Sequence, residues 1–130
     1  MSKKIALVGH CGPDSSFMRM AVSSADKTVR VLMADDDETL VKVLNDGVDL
    51  LLINRELPYG FDETLGVETI KKIRAHHPAV KAMLISNYPE AQQEAVKASA
   101  LPGFGKREIG TPRVTQVLRE ALASDTVSSA

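Results

Sequence analysis

The chain has 130 residues, 44% of them hydrophobic, and its 16 Lys and Arg against 17 Asp and Glu leave a formal net charge of −1. That length fits one domain with a core of its own, and the balanced charge gives no global field toward nucleic acid or an anionic membrane. A single cysteine, Cys11, excludes an internal disulfide and fits a reducing, cytoplasmic setting. No stretch reaches the length of a membrane span, and the apolar run after Lys3 and Lys4 is too short for a signal peptide. One domain is expected over residues 1–124, followed by a small polar tail, 125–130, that should fray.

In chain order, residues 5–8 (IALV) read as a first strand bounded by Gly9 and Gly12. Asp14 or Ser15 is placed to cap a helix predicted to begin near Phe17. Residues 29–34 (VRVLMA) make a second strand that stops at Asp35, Asp36 and Asp37. Leu40, Val43 and Leu44 mark a short helix ending near Gly47, and the acidic run before it suits its free amides and the positive end of its dipole. Residues 50–53 are apolar at every position and form the third strand. Val67, Ile70 and Ile73 have helical spacing before Pro78. Residues 82–85 give a fourth strand, and a weak fifth lies around Phe104. Thr111 followed by Pro112 starts the last helix, whose stripe is Val114, Val117, Leu118, Ala121 and Leu122.

Strand and helix thus alternate five times. Strands without polar alternation are covered on both faces, so the expected architecture is α/β: a parallel sheet wound on both sides by helices through right-handed crossovers. In such sheets the working site lies beyond the carboxyl ends of the strands. The residues placed there are 9–14, 35–37, 54–56, 86–87 and 106–107.

Over nearly its full length the sequence resembles the receiver domain of bacterial response regulators. LLLINRELP (50–58) places a polar residue, Asn54, at the strand end and four before Pro58, where receivers keep their phosphoacceptor aspartate. GVETIKKIR (66–74) follows the family's glycine-to-arginine third helix, Ser86 after MLI stands at its hydroxyl switch position, and Lys106 at its lysine position. The resemblance implies a flavodoxin-like (βα)5 fold with strand order 2-1-3-4-5. It also implies signalling partners, such as a histidine kinase or another regulator. Its usual docking or homodimer face is built from the fourth helix, fifth strand and fifth helix, here residues 89–100, Phe104, Lys106 and on to Leu122.

The chain departs from the family where the chemistry is. Asn54 replaces the aspartyl nucleophile, and Gly9 and His10 stand where receivers carry the acidic pair that holds Mg²⁺. Mg²⁺ takes charged oxygen ligands, and an amide cannot form the mixed anhydride that an aspartate forms. The expectation is an atypical, stand-alone receiver, no enzyme, with no metal and no cofactor, acting through protein contacts. Asp35-Asp36-Asp37 imitates the missing acidic pair. Yet Asn54 lies only eighteen residues after Asp36, too few for the intervening helix, strand and helix. The segment YGFDETL (59–65) is a loop longer than receivers carry, and Arg107 follows Lys106 in place of their proline.

Loss of the aspartate leaves Lys106 in need of another anion, with Asp14 and Glu56 near it in the expected fold. His10, Arg55, Lys106 and Arg107 together define a candidate anion pocket, while Asn54 is expected to bond Ser86, Lys106 or backbone carbonyls. Two alternatives remain from the residues. One is a phosphorylatable receiver with a relocated acidic site at Asp14 or Asp36. The other is a small phosphate-binding enzyme using Cys11 in GHCGPDSSFM, since helix N-termini bind phosphate and lower thiol pKa. Phe17 stands where the tyrosine-phosphatase loop needs arginine, and Val8 and Pro13 break a cobalamin-type Asp-x-His-x-x-Gly motif around His10.

Overall fold

The computed structural model describes residues 3–123. The expected tail, 125–130, and the domain boundary at 124 lie outside them.

Five parallel strands form one sheet in the order 2-1-3-4-5: β1 (Lys4–Val8), β2 (Arg30–Ala34), β3 (Leu50–Asn54), β4 (Lys81–Ile85) and β5 (Leu101–Phe104). The helices are α1 (Gly12–Ala25), α2 (Asp37–Asp46), α3 (Gly66–His76), α4 (Pro89–Lys97) and α5 (Pro112–Ala123). The sequence-level order and class are the observed ones.

Successive strand residues point to opposite faces, which divides the apolar runs between two cores. Ala6, Val8, Leu51, Ile53, Ala82 and Leu84 pack with α2, α3 and α4 on one side. Ile5, Leu7, Leu50, Leu52, Met83 and Ile85 pack with α1 and α5 on the other. Because both faces are dry, a slip of one residue in β3 would exchange its two core sets, and this fixes the register.

Three local expectations change. Helix α1 begins at Gly12, not near Phe17, with Cys11 as its N-cap residue and the Ser15 amide donating to the Cys11 carbonyl (2.8 Å). Pro13 sits in the first turn, where no N–H is needed. Asp14 and Ser15 therefore lie inside the helix and neither caps it. The Thr111 hydroxyl, placed to cap α5, instead donates to the Glu108 carbonyl (2.6 Å) of the short 3₁₀ turn Lys106–Glu108. Strand β4 starts one residue earlier than its apolar run. Lys81 is buried there and donates to the Ala121 carbonyl (2.5 Å), where a cation suits the end of a helix dipole.

Asp36 does cap α2: its carboxylate accepts from the Thr39 amide (2.8 Å) and hydroxyl (2.6 Å). Among the described residues strand β5 pairs only with β4, through an irregular register, and at that edge it tolerates Pro102.

Candidate functional site: the crest of the sheet

The carboxyl ends of β1, β3 and β4 and the 3₁₀ turn after β5 bring most of the expected residues to one crest. Asn54 ends β3 and is half-buried. Its Nδ2 donates to the Gly9 carbonyl (3.1 Å) and the Glu56 carbonyl (3.0 Å), while Oδ1 accepts from the Arg55 amide (3.1 Å). The amide thus ties the end of β1 to the chain leaving β3. Of its expected partners it takes backbone carbonyls. The Ser86 hydroxyl accepts from the Tyr88 amide (3.1 Å) at the start of α4, and Lys106 Nζ donates to Asp14 (2.6 Å).

Gly9 has φ +74°, a left-handed conformation suited to glycine. A Cβ built there would lie 2.6 Å from Leu57 Cδ2 and 3.2 Å from Pro58 Cδ, with Phe61 Cε2 at 3.7 Å. Leu57 is buried. The space beside β1 is therefore filled by the segment that follows β3.

That segment is tied down at several points. Glu56 and Leu65 form an antiparallel bridge, the Leu57 amide donates to Thr64 (2.9 Å), and the Gly66 amide to Arg55 (2.8 Å). Across the loop, the Asp37 amide donates to Gly60 (3.0 Å) and the Asp62 amide to the Asp37 carboxylate (2.7 Å). Phe61 packs on the core while Tyr59 is fully exposed. The length of the loop was legible in the sequence. Its return over Gly9 was not, because no periodicity marks an irregular segment that contributes one leucine and one phenylalanine to a core.

His10 is buried, and its ring Nε2 lies 2.9 Å from the Leu52 carbonyl. A carbonyl only accepts, so Nε2 carries the proton and Nδ1 is left as an acceptor without a partner among the described residues. Burial, reinforced by the positive charge of Lys106, holds His10 below its ordinary value of 6.5. It is neutral at neutral pH.

The four residues of the candidate anion pocket do not all line one cavity. A cavity of about 300 Å³ is lined by Asn54, Arg55, Ser86, Asn87 and Lys106, with His10 and Arg107 outside its lining. Lys106 is paired with Asp14 at 2.6 Å. Arg55 meets Glu56 at 2.5 Å and lies over the Tyr88 ring, 4.6 Å from its centroid. Arg107 enters through its backbone, which donates to Asn87 Oδ1 (3.1 Å). An incoming anion would compete with carboxylates already in place.

Two residues at this end of the sheet had no sequence signal. Gln92 of α4 spans the irregular β4–β5 junction, donating to the Leu84 (2.9 Å) and Ser86 (3.1 Å) carbonyls and accepting from the Gly103 amide (3.1 Å). Phe104 is fully buried in the core, so the aromatic ring beside the cavity is Tyr88, which is half exposed.

Protonation couples this site to stability. A histidine held below its ordinary pKa contributes stability that is present above the unfolded value and lost as pH falls beneath it. Asp14 is held low chiefly by the Lys106 hydrogen bond, so its contribution is lost only at more acidic pH. Unfolding by urea should show stability dropping between about pH 7.5 and pH 5.5. His10→Gln should flatten that drop, because the side chain no longer titrates; an unchanged profile would remove His10 as its source.

The fold defined by this sheet and its helices is that of response-regulator receiver domains, as comparison with solved structures shows. A putative response regulator from Chloroflexus aurantiacus J-10-fl superposes with a TM-score of 0.78 at 15% identity, covering 95% of this chain and all of that one. The non-phosphorylated receiver domain of the stress response regulator RcsB from Escherichia coli gives 0.72 at 17% identity, covering 92% and 95%. The receiver domain of NtrX from Brucella abortus gives 0.67 at 22% identity, covering 92% and 98%. No protein-family model and no curated protein matches the sequence.

Proposed function

We propose that this chain is an atypical receiver module of signal transduction that acts by docking to other proteins and does not take phosphate by the Mg²⁺-dependent aspartyl route. The carrying observation is the crest itself: Asn54 presents an amide to two carbonyls, and Leu57 lies where a side chain on Gly9 would go. The residues present do not fit Mg²⁺. A hard cation needs anionic oxygens, and Gly9 and His10 offer none. Among the described residues, no three His, Cys, Asp or Glu side chains are grouped to hold a metal ion.

The carboxylates that a relocated site would use are engaged elsewhere. Asp36 caps α2 and Asp14 pairs with Lys106. Cys11 is exposed at the start of α1, three residues before the Asp14 carboxylate, a poor companion for a thiolate or a phosphate. An exposed free thiol also fits the reducing cytoplasm.

Partners are proposed by analogy with the neighbours. One is described as a beryllofluoride-activated NtrC4 receiver domain dimer. The corresponding α4–β5–α5 face here exposes Val96, with Arg113 of α5 paired to Glu108 at 2.7 Å. It is the face proposed for a homodimer or for a kinase or regulator.

Treatment with acetyl phosphate and Mg²⁺, followed by intact-mass measurement, tests the reading. The expected result is no adduct. A base-labile phosphoryl group on Asp14 or Asp36 would overturn it in favour of a relocated acidic site, and one on Cys11 in favour of a phosphate-handling enzyme.

A further inference from the structure

Helices α2 and α3 leave between them a groove of about 330 Å³, on the side of the sheet away from α1 and α5. Its apolar wall comes from Leu40, Val41, Leu44 and Ile73. Val41 is 54% exposed on a helix whose neighbouring apolar residues Leu40 and Val43 are buried, so it is not needed for the core. The upper end of the groove is built by the same loop that covers Gly9. Asp37, Asp62 and Glu63 reach it there, with Lys72 as the cation among them.

Three carboxylates against one ammonium leave that end negative. Glu63 pairs with Lys72 at 3.0 Å, and the Asp37 carboxylate accepts from the Asp62 amide. Lys72 itself registers the field: the Glu63 hydrogen bond raises its pKa first, and the charges of Asp62 and Asp37 raise it further. His76 and His77 close the opposite end.

An apolar trough with an acidic head complements an amphipathic helix that carries lysine or arginine beside its apolar stripe, the groove-binding mode in which side chains at helical spacing anchor the ligand. A loop fixed in advance by hydrogen bonds lowers the ordering cost of such docking. We infer that the α2–α3 groove is a docking site for a basic amphipathic helix of a partner protein, with apolar side chains against Val41 and Leu44 and a cationic one at Asp62. This inference rests on the docking-module reading and places one contact of that module on a face separate from α4–β5–α5.

The probe is a helical peptide of leucine and lysine in amphipathic repeat, with leucine–glutamate and leucine–glutamine versions as controls. Each is titrated into the isotope-labelled full chain and followed by backbone amide shifts. The leucine–lysine peptide should move the amides of Val41, Leu44, Thr69 and Ile73. Val41→Glu should weaken it about tenfold or more. Asp62→Asn should weaken it about threefold and reduce its salt dependence.

Equal binding of the leucine–glutamate peptide, shifts centred on α4 and α5, or indifference to Val41→Glu would each overturn the groove assignment. None of these outcomes bears on the phosphodonor experiment. A Mg²⁺-dependent adduct there would end the docking-module reading whatever the peptides do.

Discussion

Gly9→Asp should destabilise the fold by about 2–4 kcal/mol, although the resemblance to receivers would place an acidic residue there. Two costs combine. The backbone at φ +74° is unfavourable for a residue with a Cβ, by about 1 kcal/mol even for the tolerant aspartate. The new Cβ would stand 2.6 Å from Leu57 Cδ2, so a buried leucine, with Pro58 close behind it, has to move. Overpacking of that kind costs about 1–3 kcal/mol.

The urea midpoint reports the loss, provided the slope is unchanged. A double-mutant cycle isolates its source. Leu57→Ala is itself destabilising because it empties a buried site, but in that background Gly9→Asp should cost about 1 kcal/mol less or better. Strict additivity would show that Leu57 is not the obstacle.

Asn54→Asp should also destabilise, by about 1–3 kcal/mol at neutral pH, and should not create a phosphorylation site. The amide nitrogen it removes donates to both the Gly9 and Glu56 carbonyls. A carboxylate at that place turns two hydrogen bonds into contacts between oxygens, while Lys106 is already held by Asp14. Such a carboxylate binds its proton more tightly in the folded than in the unfolded chain. The penalty is therefore full above its folded pKa and fades as pH falls toward the unfolded value. Denaturation of the variant and the native chain across acidic pH should show the gap closing in that direction. A variant as stable as the native chain, or one that gains a Mg²⁺-dependent adduct from acetyl phosphate, would refute the account of the crest.

Both results follow from one arrangement. Asn54 ties the end of β1 to the chain leaving β3 through backbone carbonyls, and Leu57 covers Gly9. Lys106 pairs with Asp14, about two-thirds buried, and the pair is worth at most about 1 kcal/mol.

The residue order by itself determined the α/β class and the crest positions, while the strand order came only with the resemblance to receivers. Residues 50–53 have no polar alternation, which points to a strand covered on both faces, and right-handed crossovers between such strands leave few parallel topologies. Gly9 and Asn54 were placed by the same periodicity, since the end of a buried strand is where its apolar run stops, while Lys106, after a weak fifth strand, was placed by the resemblance to receivers. Asp36 as the cap of α2 was likewise local chemistry, a carboxylate within reach of an amide three residues on.

Only the tertiary structure decided what those residues touch. Asp14 lies 92 positions from Lys106 in the chain, and Leu57 returns from the third strand to cover the end of the first. The groove between α2 and α3 takes two of its three carboxylates, Asp62 and Glu63, from a loop that neither helix predicts. Periodicity reports which face of an element is buried, through a free energy summed along that element. Partner choice at the crest depends on distances between segments remote in sequence, and those distances exist only once the sheet has closed its register.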